Sequence, residues 1–227
     1  MSRPDAFLAA LQLADPGLPI GRFVHSHGLE AWLAARPDAG EPELEELIAS
    51  FILEGVGPLD GAAVGLAHGA GSLDELDELD RAVSARKTLA PARTASHSCG
   101  RQLAVLAPRL TDDPLLRALS GAVRVGDADG NLAVVSGVLA RALGIGARDA
   151  VLLELRGAMT SLLSSAIRLG RLGPIGAQSM ALRLTPALVA AADDARERSL
   201  DELHASAFEL DVASLAHGRR DARTFAT

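Results

Sequence analysis

Tyrosine is absent from this sequence, tryptophan and cysteine occur once each, and aromatic residues make up only 3% of it. With so few rings, leucine and alanine must supply most of the 48% hydrophobic content, and that mixture favours helices over strands. The single cysteine, Cys99, excludes an internal disulfide and fits a reducing compartment. Basic charge is in short supply as well. The formal net charge of -7 argues against a nucleic-acid backbone as partner. No span of about 18 residues is both continuously apolar and uncharged, so no transmembrane helix and no membrane partner are expected. Asp5 and Asp15 interrupt the N-terminal apolar run, which makes it a poor signal peptide. The expected location is cytoplasmic.

What is present reads as helix. Leu44, Leu47, Ile48, Phe51 and Ile52 recur at three- and four-residue spacing behind Pro42, and Gly55 and Gly57 are expected to end that helix. Ser72 with Glu75, and Ser199 with Glu202, occupy capping-box positions and each predicts a helix start. Asn131 reads as the cap of NLAVVSGVLARALG, and ARDAVLLELRGAMTSLLSSAIRL reads as a helix buried at the centre of a bundle. A further helix from Gln178 to Ala191 should be kinked or divided by Pro186. No stretch alternates with period two between hairpin signals. The pattern predicts an all-α bundle of about eight to ten helices. No composition break or helical-array repeat divides the 227 residues, so one domain over 1–227 is expected, with the basic stretch 218–227 as a tail, free or ordered by a partner.

Candidate chemistry is sparse. His25 and His27 on a helix would diverge by about 200°, so only an extended segment could aim both at one metal. A lone H-x-H also lacks its third and fourth ligands. His97-Ser98-Cys99 falls on a helical stretch, where a cysteine is usually a small core residue, and nothing nearby suggests an orienting group or oxyanion hole. The glycine-rich run Gly170 to Gly176 lacks the lysine and the preceding strand of a phosphate loop and reads as a turn between helices. Asp74, Glu75, Asp77, Glu78 and Asp80 read as a solvated helix face, and Asp60, after Gly57-Pro58, as an N-cap. No set of these residues assembles an active site, and neither catalytic residues nor a permanently bound cofactor are expected.

The stretch LQLADPGLPIGRFVHSHGLEAWLA resembles the N-terminal signature of the UreF family of urease accessory proteins, through Pro16, Leu18, Pro19, Ile20, Gly21, Phe23, Ser26, Gly28, Leu29 and Glu30. GVGPLDGAAVGLAHGA is similar to the family's G-x-D stretch, which carries Asp60. Arg93, Ser96, Gly100 and Arg101 fit its R-x-x-S-x-x-x-G-R segment, and Gly137, Arg168, Leu172, Gly173 and Gln178 stand in register with two central family helices. Asp211, His217, Arg223 and Phe225 resemble the terminal motif. Departures fall at His25, where the family usually has an aromatic residue, at His27, at Asn131 and at Pro174.

The resemblance implies an all-α protein, typically a homodimer, that is not itself an enzyme. It implies binding to the UreD/UreH scaffold, to the GTPase UreG and through them to the urease apoprotein, with nickel handled transiently and GTP held on the partner. The residues it implies for partner binding are Pro19, Gly21, Phe23, His25, Ser26, Gly28, Glu30, Asp60, Arg93, Gly100, Arg101, Arg168, Gln178, His217, Arg223 and Phe225. His25, His27 and His217 are the candidates for transient contact with nickel. The competing expectations are a helical metalloenzyme built on His25 and His27, and a helical binding module unrelated to urease.

Overall fold

A computed structural model describes residues 5–217 and 224–225 of the chain. Among the described residues the regular structure is entirely helical, with no strand. Helix α1 (Ala6–Ala14) starts on Asp5, whose carboxylate accepts the amides of Phe7 and Leu8. A loop and one 3-10 turn (Arg22–Val24) lead to α2 (Leu29–Ala35). Then come α3 (Glu41–Ser50), a π-helical stretch (Phe51–Gly61) and α4 (Ala62–Gly69), which run on as one rod. The order continues with α5 (Leu73–Arg86), α6 (Ala90–Leu110), α7 (Pro114–Val125), α8 (Leu132–Ala142), α9 (Ala147–Arg168), α10 (Pro174–Arg183), α11 (Thr185–Glu197) and α12 (Phe208–His217).

Helix α9 is the axis of the bundle, as its all-round apolar sequence predicts. Leu155, Met159 and Leu162 are fully buried, and α1, α2, α4, α8, α10 and α11 all touch it. Each such leucine contributes roughly 1.5–3 kcal/mol by leaving water. Helix α8 is buried on nearly every side between α4 and α6, with Val134, Val135, Val138 and Leu139 at 0% exposure. The rod Glu41–Gly69 and helix α9 are long and apolar enough to cross a membrane by length and composition, although each carries charged residues. Both are core helices instead: 72% and 61% of their most apolar windows are buried inside the fold.

Two expected boundaries fall elsewhere. Gly55 and Gly57 do not end their helix; it continues in π geometry through Pro58. The missing Cβ atoms let Ala207 and Ala191 press against the rod there. Pro58 brings no N–H to the rod's hydrogen-bond ladder, and the Ser206 amide reaches the rod from outside, donating to the Glu54 carbonyl at 2.8 Å. The second correction follows from the first. The capping box at Ser199 and Glu202 forms, but it opens only a 3-10 turn (Leu200–Glu202). The chain then runs extended along the rod, where His204 N–H reaches the Pro58 carbonyl, and α12 begins at Phe208. Pro186 behaves as expected, sitting in the first turn of α11 just after the break at Leu184.

Candidate functional site

The loop between α1 and α2 is shaped by its backbone. Gly21 and Gly28 both take left-handed φ angles, +79° and +86°, and His27 between them sits at +52°. Gly28 also meets α12 so closely that a Cβ there would lie 2.4 Å from the Leu210 carbonyl oxygen. Pro19 and Gly21 lie exposed on this loop, while His25, Ser26, Gly28 and Glu30 are buried where it turns into α2. Ser161 of α9 donates its hydroxyl to the carbonyls of Arg22 and His25 and so ties the loop to the bundle axis. The Trp32 indole donates to Glu209 at 2.7 Å, which clamps α12 on α2.

One face of this loop gathers residues from opposite ends of the chain. The Glu30 carboxylate accepts the amides of Thr224 and Phe225, at 2.9 and 3.3 Å. Phe225 is buried, and the Arg168 guanidinium stands 4.2 Å over its ring. Arg168 also donates to the Phe23 carbonyl at 2.8 Å. Phe23, Glu30, Arg168 and Phe225 therefore form one cluster, and at Thr224 and Phe225 the tail is held by this chain itself. Arg223 lies outside the described residues, as do the rest of 218–227 and the side chain of His217.

The other face of the loop borders a cavity of about 120 Å³ lined by His25, His27, Phe51, Asp60, Lys87, Cys99, Glu154 and Asp211. Two ion pairs frame it. Arg22 donates Nη2 to both Glu154 carboxylate oxygens at 2.6 Å, and Lys87 Nζ donates to both Asp60 oxygens at 2.8 and 2.7 Å. Asp60 is thus an ion-paired residue inside the π-helical stretch rather than an N-cap. Arg93 donates to the Lys87 and Thr88 carbonyls and fixes the turn that carries the lysine. Burial holds the His25 imidazole below its usual pKa and pushes His27 down to about 3, with the His25, Arg22 and Lys87 charges acting the same way. Burial raises the Cys99 thiol to about 11, so neither a thiolate nor an imidazolium is available here near neutral pH. Among the described residues, no group of three or more His, Cys, Asp or Glu is placed to hold a metal ion.

Gly100 and Arg101 stand at a third place. Gly100 is buried where α6 crosses the loop before α8, and a Cβ there would lie 2.0 Å from the Gly130 carbonyl oxygen. Arg101 donates to the Asp129 carbonyl. Beneath them Asp80, at 1% exposure, accepts the amides of Gly130 and Asn131 and the Asn131 side-chain amide. Asp80 therefore leaves the solvated acidic face to Asp74, Glu75 and Glu78. Asn131 stands at the start of α8, but its side chain makes no cap; Ser96 Oγ takes the Leu132 amide and donates to Asn131 Oδ1. Ser84, His97 and Asp129 also meet here, yet the Ser84 hydroxyl donates to Asp129 at 2.6 Å, so its proton is not directed to the imidazole as a nucleophile's would be. Gln178 is exposed on α10 and lines a second cavity under α1 together with Arg22, Phe23 and Glu154.

Arg22, Lys87 and Glu154 escaped sequence reasoning, and the acidic run assigns Asp80 to solvent although it is buried. Arg22 and Glu154 are 132 residues apart, and no local spacing announces such a pair. Known proteins supply the missing context. The UreF family profile matches residues 39–185. The chain belongs to the UreF family. It is 30% identical to the urease accessory protein UreF of Trichodesmium erythraeum over 228 residues, covering 96% of each chain. It is 29% identical to the UreF of Haemophilus influenzae, covering 92% of this chain and 90% of that one, and 29% identical to the UreF of Paenarthrobacter aurescens, covering 96% of each. These alignments take in nearly the whole chain, including ends that the family profile leaves out. As a UreF, the protein is an all-α urease accessory protein, a chaperone of urease maturation.

Proposed function

We propose that this UreF acts without catalysis as an adaptor that bridges the UreD/UreH scaffold and the GTPase UreG and supports GTP-dependent delivery of nickel to apo-urease in the cytoplasm. The observation that carries the reading is the convergence of family-signature residues from both ends of the chain, Phe23, Glu30, Arg168 and Phe225, on one face. Glu30 and Phe225 are buried in this cluster and Arg168 is exposed on it, so the face a partner would meet there is shaped by folding from distant segments. Gly100, Asp60 and Arg93 support it from inside, by fixing loops and helix crossings. Exposed Phe7, Leu8 and Leu11 on α1 supply an apolar face suited to a second copy, consistent with a homodimer. Nickel is cargo in this scheme, and GTP stays on UreG.

The test is urease activation in cells expressing the urease subunits and their other accessory proteins, with and without this chain. The reading expects nickel content and activity of purified urease to rise several-fold when the chain is present. Equal nickel loading in its absence would contradict it.

A further inference from the structure

Asp211 lies on the inner side of α12, against the cavity beside His27. The other formal charges lining that cavity are answered in place. Glu154 answers Arg22, Asp60 answers Lys87, and Arg86 donates to the carbonyls of Leu203 and Ala82. Asp211 alone among the cavity's carboxylates has no hydrogen bond or ion pair from its side chain to a described residue, and its burial raises its pKa despite the nearby Lys87. A half-buried carboxylate without a partner is costly, and a cation brought to it recovers that cost.

The remaining walls say what kind of cation. Phe51, Val56, Leu59, Leu89 and Ala92 are apolar, and the space of about 120 Å³ far exceeds the roughly 10–15 Å³ that one water requires. No ligand set for a metal accompanies Asp211 among the described residues. An organic cation brings its own donors and needs no such set. Lysine and arginine bury their methylene stems along apolar surface while presenting a charged head, and a guanidinium can pair with a carboxylate through two hydrogen bonds.

We propose that this cavity binds an alkyl cation, an ammonium or guanidinium on a short apolar stem, with Asp211 as its counter-charge. The chemistry is the same whether the cation is a free small amine or a lysine or arginine side chain of a protein partner. The site stands apart from the adaptor reading, because it is tested first on the isolated chain.

The experiment titrates the full-length protein with n-butylguanidine, with butan-1-ol as the uncharged stem and with guanidinium chloride as the bare head, followed by calorimetry. Saturable binding of n-butylguanidine is expected, with little or none of the other two. Asp211→Asn should weaken it by about tenfold or more. Ala205→Trp, at an exposed position on the cavity rim, should block it in a chain that keeps its cooperative melt and its ion pairs. Addition of n-butylguanidine to a purified complex with the scaffold partner separates the two sources. Displacement identifies a partner side chain, and binding without displacement identifies a free cation. Absence of binding to the natural chain, equal binding by butan-1-ol, or unchanged affinity in folded Asp211→Asn or Ala205→Trp overturns the proposal.

Discussion

Asp80 shows how a single buried charge can fix a helix start. Its carboxylate takes two backbone amides and one side-chain amide from Gly130 and Asn131, in a place that water does not reach. Asp80→Ala strands those donors and should cost about 3 kcal/mol of stability in chemical denaturation, whereas Glu78→Ala on the exposed face of the same helix should cost within ~0.5 kcal/mol. The sequence held a signal for this difference. Asp80 falls in the Leu76, Leu79 and Val83 stripe of α5, the face that the helical period turns inward, while Asp74, Glu75 and Glu78 fall off it. The acidic run concealed it. His27 makes a second residue-scale prediction. Its folded pKa of about 3 lies below the ordinary 6.5, so between those values the unfolded chain binds more protons than the folded one. Stability is therefore full above 6.5 and falls as pH drops through that window, with His25 and His97 shifted in the same direction and Asp211 in the opposite one. His27→Asn, which tolerates the positive φ, should flatten that slope in melts taken from neutral pH down to about 4.

At the scale of elements, the sequence signals located the helices well but misjudged where one of them ends and where another begins. The fold class, the central position of α9, and the division of α10 from α11 by Pro186 all follow from spacing and proline chemistry. The π-helical stretch does not, because what sustains it lies about 150 residues further on. Glycine and proline are stop signals only for a helix that must satisfy its own backbone, and here the segment 203–207 adds donors from outside, at the Glu54 and Pro58 carbonyls. The same contact explains why the capping box at Ser199 does not seed a longer helix: His204 and Ser206 spend their amides on the rod. Pro58→Ala restores an N–H to residue 58 and lets the rod return to α geometry, in which that N–H takes the Glu54 carbonyl. The expected result is faster amide exchange at His204 and Ser206, with a global loss of about 1 kcal/mol. Unchanged protection at both amides would show that the segment is held by its side chains instead.

Across the whole molecule, the loop from Leu18 to Trp32 divides its two faces between two tasks. One face, through Glu30 and the Phe23 carbonyl, gathers Arg168 and Phe225. The other, through His25 and His27, closes a cavity between two buried ion pairs. The histidines that first suggest a metal site therefore occupy positions where neutral rings are required, beside Arg22 and Lys87. The family signature was legible in the sequence, residue by residue, but its geometry was not. Partners such as Arg22 with Glu154, or Glu30 with the amide of Phe225, meet only once the bundle has closed. The central claim is that this folded surface is a scaffold's docking site. The most direct test is co-expression with the cognate UreD and UreG, followed by size-exclusion chromatography with mass determination. The account predicts a stable co-eluting complex whose mass includes UreD, and its loss in Glu30→Ala while that variant still melts cooperatively. A natural chain that elutes alone, folded and free of UreD, would contradict it.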